Sequence, residues 1–206
     1  MIKLHHLNKS RSKRIIWLLE ELGVDYELVA YQRDTTTFLA PESLKAVHPL
    51  GKSPVLEASG YTIAESGAIT EYLIHTYGAD KLMPALGTAD YIDYLQWMHF
   101  AESSAALPLL LKIFVKMDGA ETRFIGGYAD AETAKVISYV NDRLEGKSYL
   151  VGNRLSGADI MMSFIAELVG QNGEFDKYPN IAKYYQQLMS HASFKKAMQI
   201  EAEHDR

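Results

Sequence analysis

Three short stretches hold residue types that could do chemistry. The first, "KSRSKR", sets Lys9, Arg11, Lys13 and Arg14 across the opening of a helical pattern. A helix N-terminus already carries about half a positive charge, so cations there are tolerated only when solvated. That reading suits Lys9 and Lys13. Arg11 and Arg14, added to the free amides of the helix start, would instead hold an anion. The second stretch, "AESGAI", opens a helix at Glu65 and Ser66 directly after a strand. Several N–H groups at such a start lack intrahelical partners. Ser66 reads first as a simple cap. It reads second as a clamp, with hydroxyl and amides holding a ligand carboxylate while Glu65 accepts from an ammonium. An amino-acid head group fits that pairing. The third stretch, "GKSPVL", has the look of a phosphate loop. The loop needs a glycine five residues before its last one and a helix directly after the Lys-Ser pair. Ala46 holds that place, and Pro54, Val55 and Leu56 open a strand, so the nucleotide reading fails. A residue before proline is pushed toward extended geometry, and a cis bond is accessible. A cis Ser53–Pro54 bond would present the Val55 N–H and C=O as an edge to which a peptide adds a strand. The plain alternative is an edge strand with nothing bound.

Elements must position these stretches. "IKLHHL" reads as a strand from Ile2 to His6, and "SRSKRIIWLLEELG" as an amphipathic helix capped by Gly23. "DYELVAY" is a second strand, and "APESLKAVHPLG" a short helix broken at His48-Pro49. Strands at Val55–Glu57 and Thr62–Ile63 flank a Ser59-Gly60 turn. A helix from Glu65 to Tyr77 follows, with Ile69, Tyr72, Leu73 and Thr76 on one side and Gly78 at its end. This β-α-β-α-β-β-α order predicts one small mixed sheet with helices on its faces. "GADKLMPALGTAD" breaks the pattern and reads as a linker. Beyond it only helices are expected: Asp90 to Met117, bent at Pro108, then Glu121 to Glu145. "LSGADIMMSFIAELVG" is a buried central helix, and two more follow, "PNIAKYYQQLMSH" and "ASFKKAMQIEA". Ser156 and Asp159 have capping-box spacing, which gives Asp159 a folding role. The expected domains are 1–79 and 89–206.

Composition narrows the function classes. The 206 residues are 48% hydrophobic and 23% charged, as in ordinary globular proteins. A net charge of -5 argues against nucleic-acid binding, which rests on neutralising phosphates. No stretch approaches the ~18 consecutive apolar residues of a membrane span, and the N-terminus lacks an apolar leader core. A cytoplasmic protein with no membrane partner is the expectation. With no cysteine, disulfides, thiolate metal sites and a protein thiol nucleophile are excluded. His5 and His6 point to opposite faces of a strand, the other histidines are scattered, and no HExxH occurs, so no metal is expected.

Taken together, "SRSKRIIWLLEELGVDYEL", "HPLGKSPVL", "ESGAITEYL", "SGADI" and "YPNIAKYYQQLMSHASFKKAM" resemble a cytosolic glutathione transferase across essentially the whole chain. The resemblance implies a thioredoxin-like N-terminal domain, an all-helical C-terminal domain and a homodimer. It implies glutathione as co-substrate, bound by Lys52, Ser53, Val55, Glu65 and Ser66. Within that set Val55 pairs with the cysteinyl unit, Glu65 and Ser66 hold the γ-glutamyl end, and Lys52 faces the glycine carboxylate. By the same resemblance, Met98, His99 and Glu102 lie where the family keeps its second-substrate pocket, although such a stripe is more often core.

A transferase of this kind must activate a thiol. A free thiol has a pKa near ~8.5, and lowering it by about two units takes roughly 2.7 kcal/mol of preferential thiolate stabilisation. A hydroxyl donor, a helix N-terminus and an arginine could supply that. The family's usual first-strand tyrosine is replaced here by His5 and His6, and its alternative cysteine is absent. The serine-type position falls near Lys9. Ser10 is the expected thiolate donor, then Asn8, then Ser12, with Arg11 beside them. The expected reaction is conjugation of glutathione to small electrophiles, with peroxidase activity as a side reaction. The alternatives are a glutathione-dependent isomerase or dehalogenase, and a glutathione-binding interaction module without catalysis.

Overall fold

The computed structural model describes residues 1–205. Its contacts divide the chain into two compact units: Met1–Met83 together with the stretch from Leu188 onward, and Pro84–Gln187.

The first unit is built on a four-stranded sheet: β1 (Ile2–Leu7), β2 (Tyr26–Tyr31), β3 (Val55–Ala58) and β4 (Tyr61–Ala64), in the order β2-β1-β3-β4. β1 and β2 are parallel, as their connection through α1 (Ser12–Leu22) requires. β3 runs antiparallel to β1 and to β4, its hairpin partner. β3 is therefore interior, and Val55 is paired on both sides, with His5 and with Ala64. The expected exposed edge at Val55 is not present, because β4 folds back onto it; the edges are β2 and β4. Alternation of Leu4 and Leu56 with α1's Ile15, Ile16, Leu18 and Leu19 fills the core. α1 ends at Gly23 in the left-handed conformation, φ 65°, which only glycine adopts without a Cβ penalty. α2 (Ser66–Tyr77) buries Ile69, Thr70, Leu73 and Ile74, so its apolar face is turned from the expected one, and Thr76 is exposed. The stretch after Pro41 makes one 3-10 turn, Glu42–Ala46. A four-residue helix, α3 (Ala79–Leu82), occupies part of the expected linker.

The last helix, α9 (Ala192–His204), belongs to this unit and not to the helical one in which the sequence boundary places it. Trp17 explains why. Its ring meets Phe194 edge-on at 4.9 Å and its Nε1–H donates to Ser193 Oγ at 3.1 Å, while Lys196 pairs with Glu20 at 2.6 Å.

The second unit contains α4 (Ala89–Phe100), α5 (Ala106–Asp118), α6 (Ile125–Arg143), α7 (Gly157–Gln171) and most of α8 (Pro179–Ser190). The sequence predicts a bend at Pro108. The structure instead puts a π-helical segment at Ala101–Ala105, before the proline. Pro108 lacks the donor for the carbonyl four residues back, and the wider turn displaces the irregularity to that side. The 30-residue run Ala89–Asp118 contains an 18-residue window of mean hydropathy 1.3. By length and composition it passes for a membrane span, contrary to the count of consecutive apolar residues, which Gln96, His99 and Glu102 interrupt. α7 is buried almost all round, and Asp159 at its start accepts from Ser156 N–H and Oγ–H, both at 2.9 Å. The capping box read from the sequence is present.

Candidate active site

The register of the sheet brings the three chemically interesting stretches to one place. β1 ends at Leu7 and leads into the Asn8–Arg11 loop. Antiparallel β3 starts beside that end, since Val55 faces His5. β4 ends at Ala64, opposite Val55, and delivers Glu65 and Ser66. Ser10, the segment Lys52–Val55 and the start of α2 thus share one end of the sheet. The Ser53–Pro54 bond is cis, as the sequence allows. Ser53 Oγ donates to the His5 carbonyl at 2.9 Å and accepts from Leu7 N–H at 3.0 Å, stitching the segment to β1.

Glu65 has φ 70° and ψ 117°, an uncommon conformation for a residue with a Cβ, and caps α2 without a side-chain bond. Such strain gathers where a ligand is clamped. Its carboxylate is exposed and Ser66 beneath it is buried. The first amides of α2 face that position.

At the start of α1, Arg11 is the N-cap residue and makes no side-chain cap bond. The capping acceptor is Ser10, whose Oγ receives Ser12 N–H at 3.2 Å. A second bond, 2.7 Å, joins Ser10 Oγ to Ser12 Oγ, and Ser12 Oγ lies 2.7 Å from His6 Nδ1 and 3.3 Å from the Leu7 carbonyl. A hydroxyl therefore sits at the positive end of a helix, where a sulfur anion is favoured.

The family matches follow this geometry. Residues 1–75 match the family described as Glutathione S-transferase, N-terminal domain, and residues 127–192 match Glutathione S-transferase, C-terminal domain. Glutathione S-transferase 1 of Saccharomyces cerevisiae is 33% identical, over 94% of this chain and 92% of its own. The chain belongs to the glutathione S-transferase family. The crystal structure of a glutathione S-transferase from Actinobacillus pleuropneumoniae is 38% identical with a TM-score of 0.90, covering 98% of this chain and 93% of its own. A glutathione transferase homolog from Lodderomyces elongisporus, solved with two glutathione molecules per subunit, shares the fold at TM-score 0.83 and 22% identity, over 97% and 98% of the two chains.

Within this glutathione transferase the expected site residues separate. Ser10 is buried beside its partner Ser12. Asn8 is committed elsewhere: its amide nitrogen donates to Asp205 at 2.8 Å, and its side-chain oxygen accepts from Arg33 N–H at 2.8 Å. Asn8 is a latch for its loop. Arg14 is fully buried, so it cannot meet an incoming anion, whereas Arg11 is half-buried at the helix mouth. Lys52 is exposed, and Lys9 is exposed beside Asp205 at 3.5 Å. Ser53's side chain is spent on β1. The trio expected to line a second pocket divides: Met98 is buried in the helical core with Tyr94 and Trp97, His99 is exposed, and Glu102 lies in the π segment.

Sequence reasoning missed the contribution of α9. Glu201 accepts Lys9 N–H at 3.0 Å and places its other oxygen 2.9 Å from His6 Nε2. Asp205 holds Asn8 and Lys9, whose bond and charge keep the Asp205 carboxyl below the usual range. No local pattern joins residues almost two hundred positions apart. The weak signal was an acidic pair near the C-terminus facing a loop rich in donors.

Among the described residues, no group of three or more His, Asp or Glu side chains is placed to hold a metal.

Proposed function

We propose that this glutathione transferase conjugates the glutathione thiolate to small electrophiles. The observation that carries the reading is the convergence of Ser10, Lys52–Val55 and Glu65–Ser66 at one end of the sheet. Glutathione lies with its γ-glutamyl ammonium on Glu65 and the adjoining carboxylate on Ser66 and the α2 amides. Its cysteinyl backbone meets the cis Ser53–Pro54 segment that leads into β3, and its glycine carboxylate faces Lys52. That pose brings the thiol to Ser10. The proton leaves to solvent, and Ser10 and the α1 amides stabilise the sulfur anion. The sulfur pair then forms a C–S bond, and the leaving group departs with its own electron pair. With a peroxide as electrophile the sulfur attacks one oxygen, the O–O bond breaks, and the alkoxide leaves and takes a proton from solvent as the alcohol. A second glutathione thiol then attacks the resulting sulfenic acid, which gives the disulfide and releases water. Solved relatives support the co-substrate, one holding glutathione and one holding oxidised glutathione.

Calorimetry of glutathione binding tests the pose. Ser66→Ala removes a hydrogen bond to a charged group and should cost about 1.5–3 kcal/mol of affinity. Equal affinity in the two proteins would sink it.

A homodimer belongs to the same reading. Ile92, Leu107, Phe114 and Met117 are exposed on the Ala89–Asp118 run, an apolar surface that a second copy would cover. Sedimentation equilibrium should return twice the chain mass, and a concentration-independent monomer would contradict it.

A further inference from the structure

Behind Ser10 runs a chain of polar groups that the thiol chemistry described above does not use. Ser10 Oγ and Ser12 Oγ are 2.7 Å apart, Ser12 Oγ and His6 Nδ1 are 2.7 Å apart, and His6 Nε2 is 2.9 Å from Glu201 Oε2. His6 and Ser12 are completely buried and Ser10 nearly so. The His6–Glu201 contact is close but angled away from ideal hydrogen-bond geometry, and neither atom has another hydrogen-bond partner. The other oxygen of Glu201 is held by Lys9 N–H. The carboxylate therefore has a fixed aim at the imidazole.

The number of protons in this chain decides which way Ser10 points its own. A carboxylate facing Nε2 requires a proton on that nitrogen, because two lone pairs would otherwise oppose each other. With the imidazole neutral, Nδ1 is then an acceptor. Ser12 must donate to it, and Ser12 Oγ in turn accepts from Ser10, so the Ser10 proton faces inward. With the imidazole charged, Nδ1–H donates to Ser12. The Ser12 proton then has two acceptors, Ser10 Oγ at 2.7 Å and the Leu7 carbonyl at 3.3 Å, and the shorter bond prevails. Ser10 Oγ now receives both Ser12 O–H and Ser12 N–H, the latter at 3.2 Å. Its two lone pairs are filled, and its proton turns outward.

We propose that His6, aimed by Glu201 and acting through Ser12, is a positioning residue that turns the Ser10 hydroxyl proton toward the glutathione sulfur when the imidazole is charged. The inference rests on the assignment of Ser10 as thiolate donor. No proton is transferred along the chain; the hydroxyls only reorient. Thiolate formation and imidazolium favour each other, so each raises the stability of the other state. The titratable groups facing His6 are Glu201 and, at the end of α9, Asp205, which Lys9 partly neutralises. From β2 the register partner is Ala30, which does not titrate, and the charged group buried on α1 is Arg14.

The test compares thiolate absorbance of bound glutathione against pH in wild type, Ser10→Ala, Ser12→Ala and Ser12→Thr. Ser12→Ala removes the acceptor that draws the Ser10 proton inward, so Ser10 should face the sulfur whatever the charge on His6, and the bound thiol's titration should no longer depend on the imidazole. Ser12→Thr, which keeps the hydroxyl, should restore that dependence. Affinity for S-methylglutathione, which has no thiol proton, should be the same in all four. A second measurement needs no variant: ¹⁵N NMR of the His6 ring should show it keeping both protons to higher pH when glutathione is bound. A His6 titration that responds to glutathione in Ser12→Ala as it does in wild type overturns the positioning role and leaves the donor standing. An unmoved curve in Ser10→Ala removes the donor and this inference together. A His6 titration indifferent to glutathione overturns the coupling on its own.

Discussion

Among the described residues each compact unit buries a polar cluster, and the two are finished differently. In the helical unit Asp159 accepts Leu150 N–H at 3.0 Å, Tyr184 O–H at 3.0 Å, and Ser156 N–H and O–H at 2.9 Å. Four donors fill the four acceptor sites of one carboxylate. In the sheet unit the chain from Glu201 through His6 and Ser12 ends on Ser10, whose proton still has a choice of direction. A closed cluster holds a fold, because every deletion leaves a buried group unsatisfied. An open one can hold a ligand atom.

The largest effect should come from emptying the closed cluster. Asp159→Ala strands four buried donors and should cost about 3–5 kcal/mol in urea unfolding, comparable to breaking a buried pair. A loss below about 1 kcal/mol would mean that the cluster does not hold the helical unit. The bound thiol's titration should be unaffected wherever the variant still folds.

A smaller effect has the opposite sign from ordinary acid denaturation. Burial pushes the Asp159 carboxyl up to about 6, against the pull of its four hydrogen bonds. The unfolded chain releases this proton near ~4. Between those values the folded state binds more protons than the unfolded one, so this group's contribution to stability falls as pH rises from about 4 to about 6 and is level above that. The loss is on the order of 2–3 kcal/mol. Urea midpoints of wild type and Asp159→Asn across this window should converge or cross, because only wild type carries the term. Parallel pH profiles would show that the carboxylate stays ionised throughout.

The contrast also shows what the sequence made legible. Local patterns located β1, α1 with its Gly23 cap, the β3–β4 hairpin and the Ser156–Asp159 cap, because each is written within a few residues. The closed cluster was readable for that reason: half of its partners lie on one turn of chain. The open cluster was readable only at its two serines, Ser10 and Ser12. His6 looked like an ordinary strand residue, and Glu201 and Asp205 reach it from a helix that the linear order assigns to the other domain. Arg14 and Arg11 are alike in sequence, and only the direction of the helix face separates the buried one from the one at the mouth. Val55 was read as an edge because the hairpin alone does not say that β1 will pair along the other side of β3. The π segment at Ala101–Ala105 has no local signature apart from the proline that follows it.

The central claim is that Ser10, at the mouth of α1, donates to the glutathione sulfur. Thiolate absorbance of bound glutathione, followed against pH in wild type and Ser10→Ala, tests it without reference to any electrophile. A hydrogen bond to a charged group is worth about 1.5–3 kcal/mol, which is roughly one to two units of thiol pKa. The account predicts a curve displaced upward by that amount, with affinity for the protonated thiol at low pH nearly unchanged and affinity above the free thiol's pKa lowered about 10- to 100-fold. Superimposable curves in the two proteins would contradict it.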